Sequence, residues 1–224
     1  MLLLRQQLSL DAYIRSLGPA AWFLKGQGQT VTGSGVSQWD DLSGNGRHLL
    51  QGTDSARPAL QADGSVLFNG TSHYLKCNAF TLNQPEWVVW VGKQVSWTNG
   101  DIFCDGNATG TLYINQASSS PNITASANNS TTTVGLNAGL AVGSVGVVSA
   151  VFNGASSSLQ VNRAAAVTGD VGAGNAGGLT LGARASGSAN SNISTSELIV
   201  FPFAPTAEQQ SRIIAGLMAR HGVA

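Results

Sequence analysis

Short runs of β-branched and aromatic residues alternate with clusters of Gly, Asn, Ser and Asp along most of the chain, from Val36 to Phe203. Runs of this kind, interrupted by turn residues at intervals of about ten positions, are typical of an all-β sandwich or barrel. We therefore predict one all-β domain, whose clearest strands cover residues 65–70, 73–77, 86–95, 111–115, 130–136, 145–154, 158–163, 178–183 and 196–203.

One pair of strands is predicted together with its turn. In the segment FNGASSSLQVN, residues 152–162, Asn153-Gly154 stands where a hairpin needs left-handed backbone. The alternation in the second half of the segment places Leu159 and Val161 on the same face of a strand. We expect that strand to be half-exposed.

Helical spacing occurs near the N-terminus, where an amphipathic stretch begins at residue 8 and ends at Gly18-Pro19. A helix this short is not stable alone, so it must dock on the domain or on a partner. We expect residues 1–19 to anchor the chain to sister subunits or to a larger particle, through Leu2, Leu3, Leu4, Leu10, Tyr13, Ile14 and Leu17.

The C-terminal stretch APTAEQQSRIIAGLMARHG predicts a longer helix. Thr206 and Gln209 have the spacing of a capping box, and Gly222 is placed to end the helix. The apolar residues fall on one stripe. We expect that stripe to pack against the sandwich through Ile213, Ile214, Leu217 and Met218.

Charged residues make up 10% of the 224 positions, and the formal net charge is zero. A surface with so few Lys and Arg side chains does not favour a nucleic-acid partner or an anionic membrane. The N-terminal run MLLL is followed by Arg5 and is shorter than a signal peptide or a membrane-spanning helix requires. We therefore expect no membrane insertion.

Taken in chain order, several segments resemble a known family: VSQWDDLSGNGRHLLQ, RPAL, GSVLFNGTSHYL, VVWVGKQV and the strand with Glu197 that runs into the C-terminal helix. This order is similar to that of the laminin-G-like, concanavalin A-like lectin and glucanase domains found in bacteriophage virion proteins and bacterial surface proteins. The resemblance implies a jelly-roll sandwich of two antiparallel sheets over residues 20–224, with a short N-terminal helix and a C-terminal helix.

The resemblance, the missing export signal and the amide- and hydroxyl-rich composition together lead to an expected function. We expect a non-enzymatic structural protein of a bacteriophage virion, a capsid decoration, fibre or tail-associated part that is released by lysis. Its partners would be other virion proteins and further copies of itself, with a trimer as the first expectation. The alternative is a carbohydrate-binding module that recognises a surface glycan of a host.

A glycan site needs an aromatic face together with amide and carboxylate groups that bind hydroxyls. Trp87, Trp90 and Trp97 lie on or beside one predicted strand. The third belongs to the polar, turn-like segment VSWTNGD, so we expect Trp97, Asn99 and Asp101 to form an exposed cluster. The alternative, that all five tryptophans are in the core, stays open at this point.

The segment WDDLSGNGRH has two interpretations. Asp, Ser and Asn side chains that accept from backbone amides, together with glycines, favour a tight structural loop. Calcium is the alternative, because Asp40 or Asp41 could supply carboxylate oxygens to the ion. We expect no required cofactor, with calcium as an optional ligand.

The sequence offers little for catalysis. The resemblance implies that a glycanase of this fold would carry a Glu-x-Asp-x-x-Glu run, whereas this chain has only Glu86, Glu197 and Glu208 and no such run. A G-x-S-x-G nucleophile segment is also missing. We therefore expect a binding protein and not an enzyme.

Overall fold

The computed structural model describes residues 8–108, 111–127, 134–135 and 139–224. Within these residues lie the helices α1 (Leu10–Ser16) and α2 (Ala207–His221). The strands are β1 (Ala21–Leu24), β2 (Gln29–Thr32), β3 (Gly35–Trp39), β4 (Leu49–Leu50), β5 (Ala59–Leu60), β6 (Val66–Leu67), β7 (Leu75–Lys76), β8 (Glu86–Gln94), β9 (Ile102–Asp105), β10 (Leu112–Gln116), β11 (Ile123–Ala127), β12 (Val134–Gly135), β13 (Val145–Phe152), β14 (Ser157–Val161), β15 (Val167–Gly169), β16 (Thr180–Leu181) and β17 (Ile193–Phe201).

These strands form two antiparallel sheets. One has eight strands in the order β15-β14-β13-β8-β17-β6-β5, and β1 also pairs with β17. The other has nine strands in the order β12-β11-β10-β9-β16-β7-β4-β3-β2. The predicted fold class, an all-β protein of two antiparallel sheets with a short N-terminal helix and a C-terminal helix, is confirmed. The arrangement fits a jelly-roll-like sandwich.

The main core lies between the two sheets, where the inward-facing residues of both sheets meet. Trp90 of β8 and Phe103 of β9 are both fully buried there, with ring centroids 4.8 Å apart. The indole N–H of Trp90 donates to Thr195 Oγ1 at 3.0 Å, so burial leaves this polar group paired.

A second core lies on the outer face of the eight-stranded sheet, beneath the helices. Trp22 of β1 and Trp87 of β8 pack there with Phe201 of β17, and the rings of Trp87 and Phe201 stack at 4.6 Å. Leu217 of α2 covers this cluster and is fully buried. Residues 87–91 of β8 and 198–201 of β17 are covered on both faces, so their sequences, WVVWV and LIVF, are continuous apolar runs without alternation.

Helix α1 also uses its apolar side chains within this second core. Ile14 is fully buried, and Leu10, Tyr13 and Leu17 pack against the same cluster. These four side chains, which we expected to face a partner, contact the chain's own domain. The rest of the predicted anchor lies outside the described residues and stays a prediction: Leu2, Leu3 and Leu4.

Both predicted ends of α2 are confirmed. Thr206 Oγ1 accepts the N–H of Gln209 at 3.2 Å, and Gln209 Oε1 accepts the N–H of Thr206 at 2.8 Å. Gly222 follows the helix with a left-handed φ of 64°. The predicted apolar stripe is buried, and neither α1 nor α2 is long and apolar enough to cross a membrane.

The predicted hairpin joins β13 to β14, but its turn covers residues 153–156 and only Gly154 within it has a left-handed φ, of 52°. The half-exposure predicted for β14 is confirmed, because buried and partly exposed residues alternate along it. Strand β1 has no counterpart in the sequence prediction, since its four consecutive buried residues show no alternation. The alternation of apolar and polar residues therefore did not predict this short buried strand.

Candidate functional site

Trp97 lies in the loop 95–101, which joins β8 to β9. It is partly exposed, whereas each of the other four tryptophans is at most 1% exposed. The alternative that all five tryptophans are in the core is therefore wrong. The indole N–H of Trp97 donates to the backbone carbonyl of Asn122 at 3.1 Å, which fixes the ring against the neighbouring loop.

The structure places Asn99 and Asp101 in the same loop as Trp97. The exposed Asn99 accepts the backbone N–H of Ser118 through Oδ1 at 3.0 Å. Asp101 is half-buried, and this burial raises the pKa of its carboxyl group above the ordinary value of 3.8. The cluster thus combines an indole ring with an amide and a carboxylate, the groups that bind sugar rings and hydroxyls.

Two buried glutamines hold this loop, and the sequence analysis missed both. Gln116 of β10 donates through Nε2 to Gln94 Oε1 at 2.6 Å, and its Oε1 accepts the N–H of Thr98 at 2.9 Å. Gln94 Nε2 in turn donates to the carbonyls of Pro121 and Leu140. The signal in the sequence is a Gln at an inward-facing position at the end of an apolar strand, where a buried amide must find partners.

A groove of about 240 Å³ lies on the part of the eight-stranded sheet that the helices leave open, and the loop 95–101 contributes Val95 to it. Val95 lines the groove and precedes Trp97 by two positions. The groove combines hydroxyl, amide and charged groups with three aliphatic side chains, and its lining consists of Gln61, Asp63, Ser65, Leu67, Lys93, Val95, Val145, Ser194 and Ser196. The sequence does not predict this groove, because its residues come from four strands, one turn and the loop 95–101.

Asp41 organises the loop 41–47 from a position that is 8% exposed. Its Oδ1 accepts the backbone N–H groups of Trp22 and Ser43, at 3.0 and 2.9 Å. Its Oδ2 accepts the hydroxyl of Ser43 at 2.8 Å and the N–H of Arg47 at 3.0 Å. Both oxygens therefore face protein donors, which favours the structural interpretation of this segment.

Asp40 has a different environment, since its Oδ1 accepts from Gln38 Nε2 at 2.7 Å and lies 3.2 Å from His48 Nδ1, which itself accepts the backbone N–H of Asp41. Within the part of the chain that the structure describes, no group of three His, Cys, Asp or Glu side chains is placed to hold a metal ion. A calcium site at Asp40 or Asp41 stays a prediction.

Glu86 and Glu197 are both fully buried, but they lie on opposite faces of the eight-stranded sheet. Glu86 pairs in register with Phe152, which faces the core between the sheets, and Glu197 pairs with Val91, which faces the helices. Their positions along β8 are five residues apart, or roughly 17 Å. Glycosidases need their two carboxylates about 5 to 10 Å apart around one bond. This arrangement does not form such a pair.

No family model matches the chain, and no curated protein sequence matches it. The fold is similar to part of the Trypanosoma rangeli sialidase in complex with sialic acid, with a TM-score of 0.62 and 10% identity over 90% of this chain and 33% of that one.

Two arabinofuranosidase structures are also similar. One is complexed with arabinofuranosyl-α-1,2-xylobiose, with a TM-score of 0.60 and 12% identity over 90% of this chain and 59% of that one. The other, a GH54 α-L-arabinofuranosidase soaked with a cyclic sulfate inhibitor, has a TM-score of 0.60 and 14% identity over the same shares. The chain thus spans about a third of the sialidase and three fifths of the arabinofuranosidases, and at this identity the likeness shows the fold alone.

These comparisons correct the function expected from the sequence. The solved structures described above are glycosidases, and they show no link to a bacteriophage. The expectation of a non-enzymatic virion structural protein is therefore wrong. What the comparisons support is a relation in fold to carbohydrate-active proteins.

Proposed function

We propose that this domain binds carbohydrate, as a sandwich module of the kind that occurs within carbohydrate-active proteins. Two of the similar structures are complexes with sugars, the sialidase with sialic acid and the arabinofuranosidase with arabinofuranosyl-α-1,2-xylobiose. The order of motifs that resembles concanavalin A-like domains leads us to place the jelly roll in that group. Binding is proposed in preference to hydrolysis because Glu86 and Glu197 face opposite sides of the sheet.

The observation that carries the proposal is the position of Trp97. A tryptophan that is not buried, in a protein that buries its other four, leaves ring surface for a ligand. Its N–H is already bonded to Asn122, so the ring is held in place before a sugar arrives. Asn99 and Asp101 supply polar groups from the same loop.

The test is a Trp97→Ala variant, assayed by titration calorimetry. The ligands are a sialylated trisaccharide, an arabinoxylan oligosaccharide and a short oligogalacturonate, chosen to include neutral and acidic sugars. We expect the affinity for whichever saccharide binds to fall at least about tenfold, because an aromatic anchor at the centre of a site carries much of the binding energy. The free energy of unfolding should change by no more than about 1 kcal/mol, since the side chain is partly exposed.

Val31→Ala is the matched control, because it truncates a side chain that is 51% exposed on β2, away from the loop 95–101. This control should bind as the wild type does. If Trp97→Ala binds every saccharide with unchanged affinity, or if the wild type binds none, the proposed function is contradicted.

A further inference from the structure

The groove to which the loop 95–101 contributes Val95 has a chain of hydrogen bonds along its floor, which begins at Asp63 in the turn between β5 and β6. Its Oδ1 accepts the hydroxyl of Ser65 at 2.6 Å and the backbone N–H of Ser65 at 3.0 Å. Its Oδ2 pairs with Lys25 Nζ at 3.1 Å. The hydroxyl of Ser65, chiefly, holds the pKa of Asp63 down at about 2, so the carboxylate is charged at neutral pH.

A second hydroxyl, that of Ser194, extends this chain of hydrogen bonds. Ser194 donates through Oγ to Ser65 Oγ at 3.0 Å, because the hydroxyl proton of Ser65 is donated to Asp63. A hydroxyl has one proton and two acceptor lone pairs. Ser194 therefore presents its lone pairs to the groove, and a ligand at this point must donate an O–H or N–H.

Lys93 of β8 lies directly beside Ser194, because the two residues are register partners between β8 and β17. Its side chain is half-buried, and among the residues that the structure describes it has no ion-pair partner. Lys25 and Asp63 neutralise each other, so the groove keeps one uncompensated positive charge at Lys93. An ammonium group at this point favours a negatively charged acceptor on the ligand.

A β-bulge shapes the floor of the groove. The register between β17 and β8 shifts between Thr195 and Glu197, which leaves Ser196 as the extra residue. The aliphatic side chains of Leu67 and Val145 flank the polar floor, which suits the C–H face of a sugar ring.

We propose that this groove binds an acidic saccharide, with the carboxylate of the sugar on Lys93 and a hydroxyl of the sugar donating to Ser194. The inference rests on the proposed carbohydrate-binding function and names its class of ligand. A ligand that carries both O–H donors and a negative charge fits both groups, whereas sulfate has no O–H to donate to Ser194 and a neutral sugar has no negative charge to pair with Lys93.

The test compares a short oligogalacturonate with its carboxyl-reduced neutral counterpart, by titration calorimetry at low ionic strength. We expect the wild type to bind the acidic form about tenfold more tightly, the scale of one charge-assisted hydrogen bond. Lys93→Gln should remove this preference, and Lys93→Arg should retain most of it. Arg163→Gln is the control, because it removes an exposed cation that does not line the groove.

The other outcomes separate this inference from the function on which it rests. If the acidic and neutral forms bind equally well to the wild type and to Lys93→Gln, the assignment of an acidic ligand is contradicted, whereas the proposed carbohydrate binding is not. If sodium sulfate alone binds as tightly as the oligogalacturonate, the groove is an anion site and the saccharide assignment is overturned. If neither form binds, this inference fails, and the proposed function is then decided by the sialylated trisaccharide and the arabinoxylan oligosaccharide.

Discussion

Glu86 and Glu197 occupy the same sheet, and both are fully buried, yet their surroundings differ completely. Glu197 lies under the helices, where its Oε1 accepts from the indole N–H of Trp22 at 2.8 Å and from Arg220 at 2.9 Å. Its Oε2 lies 2.7 Å from Nε2 of His221. Every oxygen of this carboxylate therefore has a donor.

Glu86 faces the core between the sheets with far less support. Its Oε1 accepts the backbone N–H of Ala176 at 3.1 Å, while its buried Oε2 has no hydrogen-bond partner in the structure. Burial raises the pKa of this carboxyl group from 4.5 to about 7. The comparison shows that burial does not by itself fix the role of a glutamate. The donors around it decide whether the charged or the neutral form is stable.

The largest effect is expected at Glu197, because four elements of the fold meet there. Glu197→Ala removes the acceptor for Trp22 and leaves Arg220 and His221 without this partner, in a site where Arg220 also pairs with Asp11 of α1. Breaking a buried ion pair on one side typically costs about 3 to 5 kcal/mol, so the free energy of unfolding should fall by about that amount. Urea denaturation measures it.

Glu197→Gln separates charge from shape at the same position. The amide oxygen keeps an acceptor for Trp22, so this variant should lose less stability than Glu197→Ala. Equal losses in the two variants would show that the charge contributes all of the stabilisation, and no loss in either would contradict the role that the contacts assign to Glu197.

A pH-dependent effect of similar size is expected at Glu86. Its pKa is about 7 in the folded protein and 4.5 as the ordinary value, so between these two pH values the folded state holds a proton that the unfolded state releases. The stabilisation that the bound proton of Glu86 gives to the folded state is complete below pH 4.5. It is lost as the pH rises through 7, which lowers the free energy of unfolding by on the order of 3 kcal/mol. Glu86→Gln should therefore gain stability relative to the wild type as the pH rises through this window.

Urea denaturation at several pH values tests this prediction, with Glu208→Gln as the control because Glu208 is exposed in the first turn of α2. The stability difference between the control and the wild type should vary much less over the same range. A Glu86→Gln curve that runs parallel to the wild-type curve would show that the carboxyl group is already ionised in the folded protein.

The smallest effect is expected at Asp11, at the outer end of the Glu197 network. Its side chain is 48% exposed, and it contacts Arg220, which also pairs with the buried Glu197. Exposed ion pairs contribute little, so Asp11→Asn should lower the free energy of unfolding by less than about 1 kcal/mol. A loss close to that of Glu197→Ala would mean that the outer pair contributes as much to stability as the buried one and would contradict this prediction.

The sequence predicted the parts of the fold that follow from local pattern. The capping box at Thr206, the stop at Gly222 and the alternation in β14 depend on neighbours within a few residues, and all three are confirmed. Trp97 was singled out for the polar segment around it, and the structure places it partly outside the core. The glycan role of Trp97, Asn99 and Asp101 stays a proposal.

The roles of the carboxylates and the groove were decided only by tertiary structure. No local pattern predicts the partners of Glu197, because Trp22, Arg220 and His221 are distant in sequence or belong to another element. Lys93 and Ser194 became neighbours through pairing of two strands about a hundred residues apart. Local spacing determines helices, caps and strand faces, whereas strand pairing across the chain determines which polar groups meet, and with them the chemistry of each site.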